Sequence, residues 1–509
     1  MQAPSRSEYV IKNVTVTIIM QVVRNILAFI SRTVFVYVLG AEYLGVNSLF
    51  TDVLTVLSFA ELGIGNAMVF SLYKPLADKD KTKINSLMAL YVKSYRIIGI
   101  TIGVLGICVI PFLKYIISDV SYVKENITIL YLLFLLNTVL SYFFVYKKSL
   151  IIADQKNYIV DVYQQIFYAV QVLLQSVFLI LTKQFIPYLL IMIVCTFLNN
   201  FFVARKADKI YPFLTNKDVE PLNKSELNDI VRNVKALVVY KIGGIILEST
   251  DSIFISSLIN VVTVGLYANY KMIIGVFRTI GNQVMNSIVA SVGNLNASED
   301  DSKKENVFYE MFYISAWFYG FTTAGLCCFL TPLINVWLGE GFSIGFDAVL
   351  AAGIYYYVSN MHYPCYTYRT TAGLFVFGQY VPMIASVSNI VLDLIMGKLW
   401  GLSGILWAST ISRIFTYELI DPVIIYKRIF KKSAVKYFLV YLTLTLLIVF
   451  DAAISYKISL IVTFNGLIGL IFQAVIFSIV FNLLFFLFTF KSSPFKSIYG
   501  RVKMILKKK

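Results

Sequence analysis

Leu237–Val292 reads LVVYKIGGIILESTDSIFISSLINVVTVGLYANYKMIIGVFRTIGNQVMNSIVASV. Two long apolar runs meet at Asn260–Val264, one rising through a membrane and one returning. Five ionisable residues interrupt them: Lys241, Glu248, Asp251, Lys271 and Arg278. An ionised group inside hydrocarbon costs several kcal/mol, so such residues face protein or a watery cavity. Three cations and two carboxylates in one hairpin therefore predict a polar chamber at membrane depth.

The composition agrees. Hydrophobic residues make up 58% of the chain, charged residues 14%, and the mean hydropathy is +0.76. Soluble domains are about half apolar and a quarter charged, so an all-α membrane protein is expected. The net charge of +16 is placed in alternate loops and in the tail, as the positive-inside rule requires. No basic stripe interleaved with aromatics exists to hold nucleic acid. The five cysteines (Cys108, Cys195, Cys327, Cys328, Cys365) lie scattered in apolar runs and read as small core residues rather than disulfides or metal ligands.

A window of about 20 apolar residues gives about 14 transmembrane helices. Six fall in 1–205 and six in 234–426, joined by a cytoplasmic linker over 206–233. Two more occupy 437–490, before a basic cytoplasmic tail over 491–509. With the N-terminus inside, 31 of the 44 Lys and Arg residues fall on the cytoplasmic side. The outer side holds only Lys114, Lys124, Lys183, Lys398 and Lys457, and eight lie within spans. Both termini are thus expected in the cytoplasm. Shifting the first six spans by 220 residues superposes them on the next six, and Tyr43–Gly45 falls on Thr263–Gly265. Six is even, so both halves enter from the same side. The expectation is two parallel six-helix lobes about a pseudo-twofold axis along the membrane normal.

No catalytic constellation is visible, so an enzyme is not expected. The single histidine, His362, reads as a hydrogen-bonded aromatic in a helix. There is no phosphate-binding glycine loop to hydrolyse ATP, and no cofactor is implied. The intramembrane charges carry more. Arg24 and Arg32, eight residues apart, lie about 12 Å apart along one helix. Lys271 and Arg278 are seven apart, as are Lys241 and Glu248. A cavity lined by Arg24, Arg32, Lys241, Lys271 and Arg278 would attract a pyrophosphate, which Arg can hold bidentately. The bland alternative is that these cations pair with Glu61, Glu248, Asp251 or Asp393 and only hold helices together. Under the repeat, Arg32 falls beside Asp251 and Asp52 beside Lys271, which predicts an outer gate of opposite charges. Asp52, Glu61, Glu248 and Asp251 could instead bind Na⁺ or a proton for coupling.

Ala60–Ala77, AELGIGNAMVFSLYKPLA, resembles the second-span signature of bacterial polysaccharide flippases of the Wzx type. Ser249–Ile273, STDSIFISSLINVVTVGLYANYKMI, and the stretch from Tyr368 through Gly401–Gly404 to Lys427 extend the resemblance over nearly the whole chain. That family belongs to the multidrug, oligosaccharidyl-lipid and polysaccharide exporter superfamily. The resemblance implies alternating access through a cationic cavity in a bacterial cytoplasmic membrane. It also implies a polyprenyl-pyrophosphate-linked oligosaccharide as substrate, flipped to the outer leaflet for capsule, O-antigen or related assembly. Membrane lipids, a polysaccharide polymerase and glycosyltransferases would be its partners. The alternatives are a cation-coupled multidrug exporter on the same architecture, and a non-transporting scaffold for glycosyltransferases.

Overall fold

A computed structural model describes residues 6–61, 64–117, 123–215, 222–224, 227–228, 230–231, 244, 246, 249–298, 301–374, 377–464 and 466–507. Lys241, Glu248 and most of the seventh expected span lie outside them. The described secondary structure is helical throughout. Among the described residues, eight helices are long and apolar enough to cross a membrane, or nine when a bent pair is taken as one span. The chain has a multi-pass, all-α membrane fold. It divides into two compact units, Met1–Gly265 and Leu266–Lys509.

In the first unit, α1 (Arg6–Leu57) holds the first expected span and most of the second. Gly40, at φ 86, marks where they meet; only glycine adopts such a conformation without a Cβ penalty. The second span does not run on to residue 72 as one α-helix. It gives way to a 3₁₀ turn, Ser58–Glu61, and resumes as α2 (Ile64–Ala77). Then come α3 (Lys81–Val109), α4 (Ile127–Ser141), α5 (Val145–Ala153), α6 (Asn157–Thr182) and α7 (Phe185–Ile210). The side chain of Asp80 caps α3 by accepting from the Lys83 amide, and Asn126 caps α4 from Thr128 and Ile129. Each cap satisfies amides that a helix start otherwise leaves open. Between α4 and α5 the axis bends by 43°, with Phe144 left-handed at the break.

The second unit contains most of α8 (Val261–Ser298), then α9 (Asp301–Leu338), α10 (Phe346–Met361) and α11 (Tyr363–Thr371). The tenth span, expected over 345–367, is broken at His362, one residue before the Tyr363-Pro364 start of α11. After it, α12 (Val381–Arg413) holds two spans that meet at Gly401, φ 58. Its end passes through a π-helical turn, Ile414–Glu418, into α13 (Leu419–Ile425). The last spans are α14 (Val435–Ser459) and α15 (Gly466–Thr489). Much of the tail expected over 491–509 forms a further helix, α16 (Ser493–Lys507). It is fastened to α9, since Ser497 Oγ and Arg501 Nη2 both donate to Glu310.

Large apolar side chains face outward at helical spacing. On α14 these are Leu439, Leu442, Leu446 and Val449; on α15 they are Ile468, Ile471, Val475 and Ile479. In water such stripes would cost about 25 cal/mol per Å², so they mark lipid-facing surfaces. Cys108 is also exposed, on an α3 face with Ile100, Val104 and Ile107. It is therefore not the core residue that its apolar run suggested.

Two close backbone approaches share the 220-residue spacing. A Cβ added at Gly45 would lie 1.9 Å from the carbonyl oxygen of Val261, and one at Gly265 would lie 1.9 Å from that of Ala41. Ala41 and Val261, like Gly45 and Gly265, are 220 positions apart. Two segments with the same spacing thus touch backbone to backbone, each through the other's glycine.

Candidate functional site

The polar wall of the first unit is built from one face of α1 against one face of α6. Thr17, Gln21 and Arg24 recur at helical spacing on α1; Asp161, Gln165, Tyr168 and Gln171 do so on α6. With Asn199 of α7 they line a cavity of about 250 Å³. Asp161 is fixed there, accepting from Thr17 Oγ1 at 2.8 Å and from Asn157 Nδ2 at 2.9 Å.

The two arginines flank one ring. The Arg24 guanidinium carbon stands 5.7 Å from the centroid of Tyr168. Arg32 lies beside Tyr168 and Tyr188. Its Nη1 is buried and meets no hydrogen-bond partner among the described residues. No ion pair between Arg32 and Asp251 is seen among the described residues. Lys148 is half-buried and lies within electrostatic reach of Asp161, Glu61 and Arg24. Glu61 ends the 3₁₀ break and lies near Tyr95 and Tyr142. In a membrane, irregular backbone at depth persists where protein or a cavity satisfies it. Asp52 accepts from Ser252 Oγ at 2.5 Å, so the neighbourhood of Asp251 does reach Asp52. Asp251 itself is buried.

In the second unit, Lys271 is exposed and Arg278 half-buried. Arg278 shares its face of α8 with Asn282 and Asn286 and lies near Tyr319 and Tyr356. The polarity of this face keeps α8 out of the set of self-evident spans, although it is 38 residues long.

A second charged group was not legible in sequence. His362 Nε2 lies 2.8 Å from Asp421 Oδ2, and Arg369 Nη1 donates to Asp421 Oδ1 at 2.8 Å. Asp421 is wholly buried and Arg369 is 2% exposed. The π-helical turn brings Glu418 in nearby, buried, with both carboxylate oxygens lacking a hydrogen-bond partner among the described residues. Such turns break the α-helical register and recur at functional positions. Rings of Phe308, Tyr368, Tyr426, Phe430 and Tyr437 pack on one another close by. His362 is thus the hydrogen-bonded ring expected of it. Asp393, expected as a partner for a lumen cation, accepts from Asn389 Nδ2 at 3.1 Å on the same helix, and that amide also donates to Ser409. Among the described residues no cluster of three or more His, Cys, Asp or Glu side chains is arranged to hold a metal ion.

No family model matches the chain, and no curated protein sequence matches it. Solved structures do. A lipid II flippase, MurJ, in an inward closed conformation superposes with a TM-score of 0.64 at 15% identity, covering 93% of this chain and 99% of that one. An inward-facing multidrug resistance MATE family transporter of the MOP superfamily gives 0.61 at 14% identity, covering 78% and 96%. A variant of the Vibrio cholerae MATE transporter VcmN gives 0.58 at 11% identity, covering 84% and 99%. These neighbours are transporters rather than enzymes. At such identities the likeness is one of architecture: the chain has the membrane fold that this lipid flippase and these multidrug transporters share.

Proposed function

We propose that this protein flips a polyprenyl-pyrophosphate-linked oligosaccharide from the inner to the outer leaflet of a bacterial cytoplasmic membrane by alternating access. The observation that carries the reading is the pair Arg24 and Arg32 on one polar wall, with a buried guanidinium nitrogen of Arg32 left unmatched. Leaving such a donor unpaired is costly, and a phosphate oxygen is a strong acceptor for it. Lys271 and Arg278 supply further cationic positions on α8, and Lys241 belongs to the same set by sequence. The pyrophosphate is held by these groups while the polyprenyl tail stays in lipid. Asp52, Glu61, Glu248 and Asp251 serve the gate or couple the cycle to Na⁺ or H⁺. Both termini face the cytoplasm, and a polymerase and glycosyltransferases act before and after the flip.

The likeness to multidrug transporters favours a second reading, export of a cationic drug. Asp161, the one carboxylate lining the first-unit cavity, shares it with Arg24, so the cavity carries no net negative charge to draw in a cation. Thermal unfolding in detergent separates the two readings. A ligand at a hundred times its Kd stabilises by about 2.7 kcal/mol. Undecaprenyl pyrophosphate is expected to raise Tm and ethidium to leave it unchanged. The reverse pattern would favour drug export.

A further inference from the structure

The cavity between α1, α6 and α7 is built for more than an anion. Two of its buried polar atoms have no hydrogen-bond partner among the described residues: Nε2 of Gln165, a residue only 8% exposed, and Oδ1 of Asn199. One is a donor and the other an acceptor. A phosphate accepts only, and a lipid chain does neither; a sugar hydroxyl does both. Further amides, from Gln21, Gln164 and Gln171, line the same space, and the rings of Phe167 and Tyr168 complete it. Planar amides beside aromatic faces match a pyranose, which presents hydroxyls at its edge and C–H groups on its faces.

Size and charge narrow the occupant. The volume of about 250 Å³ lies just below the ~300 Å³ at which pockets for drug-sized ligands begin. That is room for about one sugar ring. Arg24 is the one cation among the lining residues and Asp161 the one carboxylate, so a uronic acid would meet an engaged but negative wall. Arg24 also belongs to the arginine pair assigned to pyrophosphate, which puts the cavity beside the phosphate end of the substrate.

We infer that this cavity is a sugar subsite, which takes the single neutral sugar attached directly to the pyrophosphate. The inference rests on the flippase reading and adds to it a basis for choosing among lipid-linked substrates. The arginines hold what every such substrate has, and the amides read what differs between them.

The test is isothermal titration of the purified full-length chain in detergent with two probes, farnesyl pyrophosphate and farnesyl-pyrophosphoryl-N-acetylglucosamine. The glycosylated probe is expected to bind at least about tenfold more tightly. Gln165→Leu and Asn199→Leu, each checked for an unchanged melting temperature, are expected to bring it down to the affinity of the bare probe. Cys108→Ser, on the outer face, serves as the control and keeps the preference. Should Gln165→Leu melt early, Gln164→Leu at the half-open side of the cavity gives the same readout. Equal affinities in the unaltered protein, or a preference that survives every cavity variant, would overturn the sugar subsite while leaving the flippase reading in place. Binding of neither probe would overturn both.

Discussion

Asp421→Ala is expected to destabilise the protein by about 3–5 kcal/mol, the cost of breaking a buried ion pair from one side. Asp421 is fully buried and accepts from both Arg369 and His362. Without it, the guanidinium of Arg369, 2% exposed, keeps its charge among the rings of α9, α11 and α14. The attraction that Asp421 supplied is lost, and the desolvation cost of Arg369 stays. Replacing both partners is a different change. Arg369→Met with Asp421→Leu removes the charges together and, by the same reasoning, should recover much of the loss. Thermal melting of both variants and of the unaltered protein in detergent measures this. A single variant as stable as the unaltered protein would mean that Arg369 finds another counter-charge or reaches water.

The second large effect is conformational. Gly45→Val is expected to force apart the segments 41–45 and 261–265. A Cβ at this position would sit 1.9 Å from the carbonyl oxygen of Val261, and a backbone atom cannot swing aside as a flexible side chain can. Overpacking of a tight contact costs about 1–3 kcal/mol. If the contact exists in only one state of an alternating-access cycle, that cost shifts the population between states by roughly 5–150-fold. Ser252, bonded to Asp52 and 2% exposed, reports on it. With the five native cysteines replaced, Ser252→Cys should react slowly with a membrane-impermeant maleimide, and much faster once Gly45→Val is added. Equal labelling rates in the two backgrounds would mean that the glycine contact does not hold this region shut.

Much of this architecture is readable in the chain because hydrophobic length and glycine placement are local properties. Gly40 and Gly401 divide merged helices where apolar runs turn, and the 220-residue spacing reappears as a contact between Gly45 and Gly265. Side-chain partnerships are not local. His362 and Asp421 are 59 positions apart and Arg369 and Asp421 are 52 apart, so no spacing rule could join them. The Arg32–Asp251 pairing illustrates the same limit. A repeat assigns corresponding positions and not side-chain partners, and Tyr168 and Tyr188, outside the aligned pair, are the residues found beside Arg32. The cavity between α1, α6 and α7 has a trace in the sequence: Asp161, Gln165, Tyr168, Gln171 and Gln175 recur every three or four residues along α6. Uncharged amides in an apolar helix mark a polar face as formal charges do, although no single one of them stands out from its neighbours.

The most direct test of the central claim is flipping by the purified protein in liposomes that carry a fluorescent polyprenyl-pyrophosphate oligosaccharide. The unaltered protein is expected to flip it, with or without a requirement for an imposed Na⁺ or H⁺ gradient. Arg32→Ala and Arg278→Ala, verified to fold, should each lose at least about tenfold in rate. A hydrogen bond to a charged group contributes about 1.5–3 kcal/mol, and about 1.4 kcal/mol is a factor of ten. No flipping by the unaltered protein under any gradient, or full flipping by both variants, would contradict the account.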